Sequence, residues 1–126
     1  MSDYSYLASP YSHPDPKVKE ERFIVVCKAA AELMQRGKRV FSPIAHSHAI
    51  EIYGMNGEVH DGTFWLQQDG PLLYHASEMI VLMLHGWKES KGVQEEIRIC
   101  QLINKPITYM EWDDLDPIGS TISSPR

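Results

Sequence analysis

Apolar residues recur along the chain with two patterns, one typical of strands and the other of helices. Residues 78–84, EMIVLML, form an almost continuous apolar run, which is typical of a central parallel strand buried on both faces. Short β-forming segments at residues 4–9, 38–44 and 105–111 predict further strands. The pattern therefore predicts a sheet of four to five strands with the 78–84 segment near its centre.

Two of the segments between these predicted strands have apolar residues at helical spacing. Residues 17–35 carry apolar side chains at helical spacing, with Pro16 placed to open the helix and Gly37 placed to cap its end. Residues 91–104, KGVQEEIRICQLIN, predict a second amphipathic helix. Strands that alternate with helices indicate an α/β domain with a mostly parallel sheet.

The interval between the second strand and the 78–84 strand has a weaker pattern. Its first part predicts a short helix and then a loop rich in glycine and asparagine. The segment TFWLQQ predicts another helix, and we expect a helix to restart after Gly70-Pro71. We place the domain at residues 1–116 and interpret residues 117–126 as a flexible polar tail.

Charge and cysteine content narrow the class of protein. The chain of 126 residues has a formal net charge of −5 and no basic stripe, which argues against nucleic acid as its main partner. Cys27 and Cys100 have no CxxC partner, which favours reduced thiols in a cytosolic protein. The first residues lack the features of a signal peptide, and the longest apolar segment contains Lys28 and Glu32. We therefore expect a cytoplasmic protein that spans no membrane.

Two adjacent glutamates lie in the second predicted helix. On a helical wheel, Glu96 lies within roughly 20° of the mean apolar direction, whereas Glu95 points roughly 110° away. A buried carboxylate is costly unless it is paired or hydrogen-bonded, so an inward Glu96 at the carboxyl edge of a sheet is a candidate functional group. The alternative is that Glu96 pairs with a basic residue at the core edge, or that the helix is rotated.

Three motifs carry a resemblance to a known family. They are YLASPY near the start, the aspartate of QQDGPLLYHASEMIVLML, and SKGVQEE. Together they resemble the nucleoside 2-deoxyribosyltransferase-like superfamily, and in particular a small bacterial and phage branch of it. This superfamily also contains deoxynucleoside 5′-monophosphate N-glycosidases. The resemblance covers residues 6 to about 109, and implies a three-layer flavodoxin-like or Rossmann-like domain.

The resemblance implies a role for each matching residue. Glu96, four residues after Gly92, matches the nucleophile, and Tyr6 matches the tyrosine that orients it. Asp69 matches the aspartate that handles the leaving base, and Ser90 matches a serine that binds the 5′-phosphate. No metal and no organic cofactor is implied. This chain departs from the family after the nucleophile, where the usual Glu-x-Gly-x-Ala is absent, and in the first loop, which lacks arginine.

Each of these residues also has a structural interpretation. Asp69 precedes a proline-containing segment and could be a helix N-cap, and Ser90 could cap the Glu96 helix. Tyr6 could simply pack in the core. The histidines of HSH, His46 and His48, are weak evidence for a metal because they lack a sure third ligand.

Further residues are expected near a ligand because they follow the predicted strands. In open parallel sheets, ligands bind at the carboxyl ends of the strands. The candidate substrate-binding residues there are Ser9, Tyr11, Ser12, His48, Trp87, Ser90 and Gly92. Trp65 or Phe64 could stack on a base.

The leading functional hypothesis is hydrolysis or transfer at the N-glycosidic bond of a (deoxy)nucleoside or its 5′-monophosphate. A glutamate glycosyl-enzyme intermediate would carry the reaction. A homodimer or larger oligomer is expected, because the relatives complete their sites across a subunit contact. One alternative is a non-catalytic module that binds or senses a nucleotide. Another is an NAD-cleaving enzyme.

Overall fold

The computed structural model describes residues 3–56 and 58–112, which form alternating strands and helices. The elements in chain order are β1 (Ser5–Ala8), α1 (Pro16–Gln35), β2 (Val40–Phe41), α2 (Pro43–Ala49), a π-helical turn (Ile50–Gly54), α3 (Gly62–His75), β3 (Glu78–Leu82), α4 (Lys91–Leu102) and β4 (Ile107–Met110).

The strands form one sheet in the order β2-β1-β3-β4, and every neighbouring pair is parallel. This is the order of the flavodoxin-like fold, and the predicted α/β class with a parallel sheet is confirmed. The strand order reverses between β1 and β3, where Tyr6 is in register with Met79. Ligands of such sheets bind beyond the carboxyl ends of the strands at this point.

The two faces of the sheet build two separate cores, which gives the domain three layers. Alternate residues of a strand point to opposite faces. Leu7, Ile80 and Leu82 therefore pack with α1 on one face, in a cluster that includes Val26 and Leu33. Tyr6, Ala8, Met79 and Val81 pack on the other face with residues from α3 and α4: Leu73, Val93, Ile97 and Cys100. Each fully buried aliphatic side chain in these clusters contributes about 1.5–3 kcal/mol.

The ends of α1 follow the signals in the sequence. Asp15 is the N-cap and accepts a hydrogen bond from the Lys17 amide at 2.9 Å, and Pro16 occupies the first turn. Gly37 follows the helix with a φ of +96°, a left-handed conformation that glycine adopts without steric strain. Both predicted boundary residues are confirmed.

Helix α3 corrects the prediction of two helical segments. Residues 62–75 form one helix with Pro71 inside it, and no helix restarts at Gly70-Pro71. An interior proline costs about 3 kcal/mol, because it removes a backbone hydrogen bond. Burial of Leu73 against the sheet and α4 offsets this loss, so the helix continues through the proline.

Two sequence expectations concern the ends of the chain and membranes. No helix among residues 3–56 and 58–112 is long and apolar enough to cross a membrane. The predicted domain boundary at residue 116 and the predicted tail at 117–126 lie outside the described residues.

Cys27 is partly buried and Cys100 is buried, and both are free thiols.

Candidate active site

A tyrosine and a glutamate meet at the carboxyl edge of the sheet. Tyr6 lies on β1 with no exposed surface, and its hydroxyl donates a 2.6 Å hydrogen bond to Oε2 of Glu96. Glu96 lies in the second turn of α4, whose N-cap Ser90 accepts from the Val93 amide at 3.2 Å. The inward direction of Glu96 is thus as the helical wheel predicts. Its hydrogen-bond partner is a tyrosine and not the basic residue of the alternative interpretation.

The position of Glu96 raises the pKa of its carboxyl group. Removal from solvent is the main cause that raises its pKa, the hydrogen bond from Tyr6 lowers it, and the charge of Asp69 raises it again. The result is a pKa of about 7, compared with an ordinary value of 4.5. One side of the carboxyl group adjoins a cavity, so the Glu96 side chain keeps some solvent-accessible surface. Protein surrounds its other sides.

The neighbouring Glu95 has the opposite character. Its carboxylate forms an ion pair with Arg98, one turn further along α4, with 3.0 Å between Nε of Arg98 and Oε1 of Glu95. This hydrogen bond is the main cause that lowers the pKa of Glu95. Glu95 is therefore a paired, ionised surface residue, whereas Glu96 is the carboxyl group turned towards the core.

Asp69 lies close to this pair but does not cap a helix. Asp61 is the N-cap of α3 and accepts from the Phe64 amide at 3.0 Å, so the N-cap interpretation of Asp69 is wrong. Asp69 is only 9% exposed, and burial raises its pKa, while His46 lowers it. Its charge raises the pKa of both Tyr6 and Glu96, so the three predicted catalytic residues share one electrostatic environment.

A cavity of about 720 Å³ lies in front of these residues, within the usual size range of small-molecule sites. Its walls come from the loop after β1, from α2 and the π-helical turn, and from the amino-terminal parts of α3 and α4. The predicted site residues that line it are Ser9, Tyr11, Ser12, His48, Asp69, Ser90, Gly92 and Glu96. Trp65 lines it as well, whereas Phe64 contacts His60 and Trp65 behind it.

Trp87 is the predicted binding residue that does not reach this cavity. Its ring packs at the edge of the second core, 5.6 Å from the ring of Tyr109 and beside Lys88. Trp87 is therefore not among the residues that line this cavity, and the expectation that it contacts a ligand stays a prediction.

Several polar side chains on the wall opposite α4 surround Glu51, a residue that the sequence did not single out. Glu51 is 5% exposed, accepts from the Tyr11 hydroxyl at 3.2 Å, and pairs with Lys19 at 3.1 Å. The Tyr11 hydroxyl also lies 2.7 Å from Nδ1 of His48, whose Nε2 lies 3.1 Å from Glu20. The π-helical turn carries Glu51 inward, and no periodic pattern in the sequence signals such a turn.

Several buried polar atoms along the cavity have no hydrogen-bond partner within the described part of the chain. They are Oγ of Ser9, Oγ of Ser47 and Nδ1 of His60, and all three residues line the cavity. An unsatisfied buried polar group costs about 1–3 kcal/mol, and native proteins keep few of them. These three atoms make this part of the cavity wall polar.

The described residues offer no cluster of metal ligands. Among residues 3–56 and 58–112, no three histidine, cysteine or acidic side chains are grouped so that they could hold a metal ion. His48 is engaged by Tyr11 and Glu20, and its ring stacks on Phe23 at 3.9 Å.

The fold and the site define an α/β protein with flavodoxin-like strand order and a carboxyl-lined cavity at the point where the order reverses. The chain belongs to the family described as "Domain of unknown function (DUF1937)", whose model matches residues 3–112. No curated protein is similar enough to match the chain. The resemblance to the nucleoside 2-deoxyribosyltransferase-like superfamily stays a prediction.

Proposed function

We propose that this protein cleaves the N-glycosidic bond of a (deoxy)nucleoside or its 5′-monophosphate, by hydrolysis or transfer, through a glycosyl-enzyme on Glu96. The observation that carries the proposal is the 2.6 Å hydrogen bond from the buried Tyr6 hydroxyl to Glu96, beside Asp69 and a cavity of nucleoside size. A cytoplasmic location and a homodimeric or larger assembly are part of the same proposal.

In the first step, an oxygen of Glu96 forms a bond to C1′ of the sugar as the bond from C1′ to the base nitrogen breaks. The electron pair leaves with the base, which takes a proton from Asp69. Burial raises the pKa of Asp69 and the charge of His46 lowers it, and the net rise brings this carboxyl group closer to the range in which it can donate a proton near neutral pH. Tyr6 stays protonated because burial and the adjacent Glu96 raise its pKa, so it holds Oε2 while Oε1 faces the sugar.

In the second step, water or another base attacks C1′ from the face that the first base left. The bond from C1′ to Glu96 breaks, and the electron pair returns to the carboxylate. Asp69, now ionised, accepts the proton of the attacking water. Two displacements at C1′ leave its configuration unchanged, as in retaining glycosidases.

Free-base release tests the proposal. Nucleosides and their 5′-monophosphates, ribo and deoxy, and NAD would be incubated with the protein and analysed by chromatography, with a second base added to half of the samples. We expect release, or base exchange, to fall at least 100-fold in Glu96→Gln, because the nucleophile is removed. Glu32→Gln, which alters a surface ion pair with Arg36 on α1, is the matched control and should keep full activity.

A non-catalytic nucleotide-binding module is the second candidate function. A pKa of about 7 keeps much of Glu96 protonated at neutral pH, which suits a carboxyl group that donates a hydrogen bond to a ligand. In that case no substrate in the panel would turn over, and the protein and Glu96→Gln would bind the same nucleotide with similar affinity. Turnover that Glu96→Gln abolishes would rule this function out.

A further inference from the structure

The cavity wall is strongly acidic. The carboxyl side chains that line it are Glu51, Asp61, Asp69, Glu89, Glu95 and Glu96. Within the described part of the chain, Lys91 is the lysine that lines it and no arginine does. Of the acidic side chains, Glu51 is paired with Lys19 and Glu95 with Arg98. The other four lie along the wall with Lys91 as its lysine, and His46 lies close enough to Asp69 to lower its pKa.

Two of these carboxyl groups oppose each other electrostatically. Asp69 on α3 and Glu96 on α4 lie on packed helices, and the charge of Asp69 disfavours ionisation of Glu96. A negative ligand between them would add to this repulsion, whereas a positive ligand would relieve it. A dianionic 5′-phosphate is therefore poorly suited to this cavity, and its place near Ser90 is already partly used, because Ser90 Oγ accepts from the Val93 amide.

Aromatic and unpartnered polar groups complete the cavity. The Trp65 ring lines it and stands edge-on to His60, with 6.4 Å between ring centroids. Tryptophan is the best aromatic partner for a cation. Ser9 is only 6% exposed, and neither its Oγ nor that of Ser47 has a hydrogen-bond partner among residues 3–56 and 58–112. These hydroxyls suit the hydroxyl groups of a sugar.

We infer that the preferred ligand is a nucleoside whose base carries a positive charge, such as an N-ribosylpyridinium or an N-alkylated purine nucleoside, without a 5′-phosphate. The inference rests on the proposed function for the chemistry at C1′. The acidic wall attracts the charged base, Trp65 offers it an aromatic face, and the hydroxyls of Ser9 and Ser47 bind the sugar.

A positive base also simplifies the reaction. When the bond between C1′ and the ring nitrogen breaks, its electron pair cancels the positive charge on that nitrogen, and the base leaves neutral without a proton. Glu96 forms a bond to C1′. Water then attacks C1′, the bond to Glu96 breaks, and the water gives its proton to Asp69 or to solvent. The cation beside Glu96 favours the ionised carboxylate before attack, so ligand binding activates the nucleophile.

A series of three ligands that differ mainly in charge tests the inference. They are the N-riboside of nicotinamide, which is a cation, its carbon-linked benzamide analogue, which has nearly the same shape and is neutral, and the 5′-phosphate of the first. Binding would be measured by calorimetry on Glu96→Gln, which keeps the other carboxyl groups and does not form the glycosyl-enzyme. We expect the cation to bind at least 10-fold more tightly than either other ligand at low salt.

Two further comparisons separate charge from shape. Added salt should reduce the preference for the cation over the neutral analogue, because it screens the carboxylates. Adding Asp69→Asn to Glu96→Gln should also reduce this preference severalfold, whereas adding Glu32→Gln should leave it unchanged. The neutral ligand should bind all three proteins alike.

The outcomes distinguish this inference from the proposed function. Equal binding of cation and neutral analogue, tightest binding of the 5′-phosphate, or no binding of any of the three would overturn the inference, whatever bond the protein cleaves. Preferential binding of the cation, with no release of nicotinamide or of any other base in the panel by the unmodified protein, would instead refute the proposed glycosidic chemistry.

Discussion

Replacement of Glu96 by glutamine should stabilise the protein at pH 8 but not at pH 5. The folded pKa of Glu96 is about 7, compared with 4.5 for an ordinary glutamate, so folding holds a proton that the unfolded chain releases. The stability linked to this proton is fully present below pH 4.5 and is lost as the pH rises through 7. Glutamine keeps the shape and the acceptor for Tyr6 but has no charge to bury.

The size of the effect follows from the shift in pKa. Each pKa unit corresponds to about 1.4 kcal/mol, so the difference between 4.5 and about 7 amounts to at most about 3–4 kcal/mol at pH 8. One side of the carboxyl group adjoins the cavity, where solvent reduces the penalty, so about 2 kcal/mol is the expected gain. With a urea m-value near 2 kcal/mol/M, the midpoint would rise by about 1 M.

Urea unfolding of both proteins at several values between pH 5 and 8 measures this difference. Groups that titrate alike in the two proteins cancel, so the gap between the curves reports mainly on Glu96. Glu95→Gln is the control: its carboxylate has a lowered pKa, is ionised throughout this range, and should give a pH-independent difference. A gap for Glu96→Gln that stays constant from pH 5 to 8, or a variant less stable than the unmodified protein at pH 8, would refute the reasoning.

Two further variants test the contacts on either side of the cavity. Tyr6→Phe removes the hydrogen-bond donor to Glu96. It should lower the free energy of unfolding by about 1.5–3 kcal/mol at pH 8, where the carboxylate is charged, and by less at pH 5. Equal losses at both pH values in urea unfolding would contradict this. Asp61→Ala removes the acceptor for the Phe64 amide and should cost about 1 kcal/mol in thermal unfolding, whereas Asp61→Asn should cost little; equal losses would show that Asp61 does not cap α3.

Strand positions were predictable because burial on two faces leaves a simple pattern. The apolar run at 78–84 contains β3 (Glu78–Leu82), one of the two central strands, and the segment at 105–111 contains β4 (Ile107–Met110). Strand β2 has only two residues, and its end is set by Pro43, which opens α2. Strand order, in contrast, depends on contacts between distant segments, so periodicity alone gives the class of sheet and not the register between β1 and β3.

Helix α3 shows where local signals mislead. Gly70-Pro71 is a strong local signal for a break, and the same signal made Asp69 look like an N-cap. In the folded chain, Asp69 and Leu73 lie one turn apart on the buried face of one helix, and packing of that face outweighs the proline. A tertiary contact therefore decided both the helix boundary and the environment of a candidate catalytic residue.

Glu51 was missed for a different reason. The sequence IEIYG around it reads as the end of a short helix before a loop, with no excess of inward positions. The π-helical turn shifts the residues that follow α2 around the helix axis and buries Glu51 against Tyr11 and Lys19. Because the turn has no signature in hydrophobic periodicity, its effect on this wall of the cavity becomes visible only from the folded chain.

Glu96 is the residue for which sequence and structure agree best, and the reason is physical. A single carboxyl group in the centre of an apolar helix face must find a hydrogen-bond donor or lose its charge, and Glu96 does some of both: Tyr6 donates to it, and its pKa rises to about 7. The wheel could give its direction because direction is a local property of α4. Its partner lies 90 residues away on β1, and only the parallel pairing of β1 with β3 brings the two together. The stability that the fold gives up to keep Glu96 inside is the strongest argument that this position serves a function.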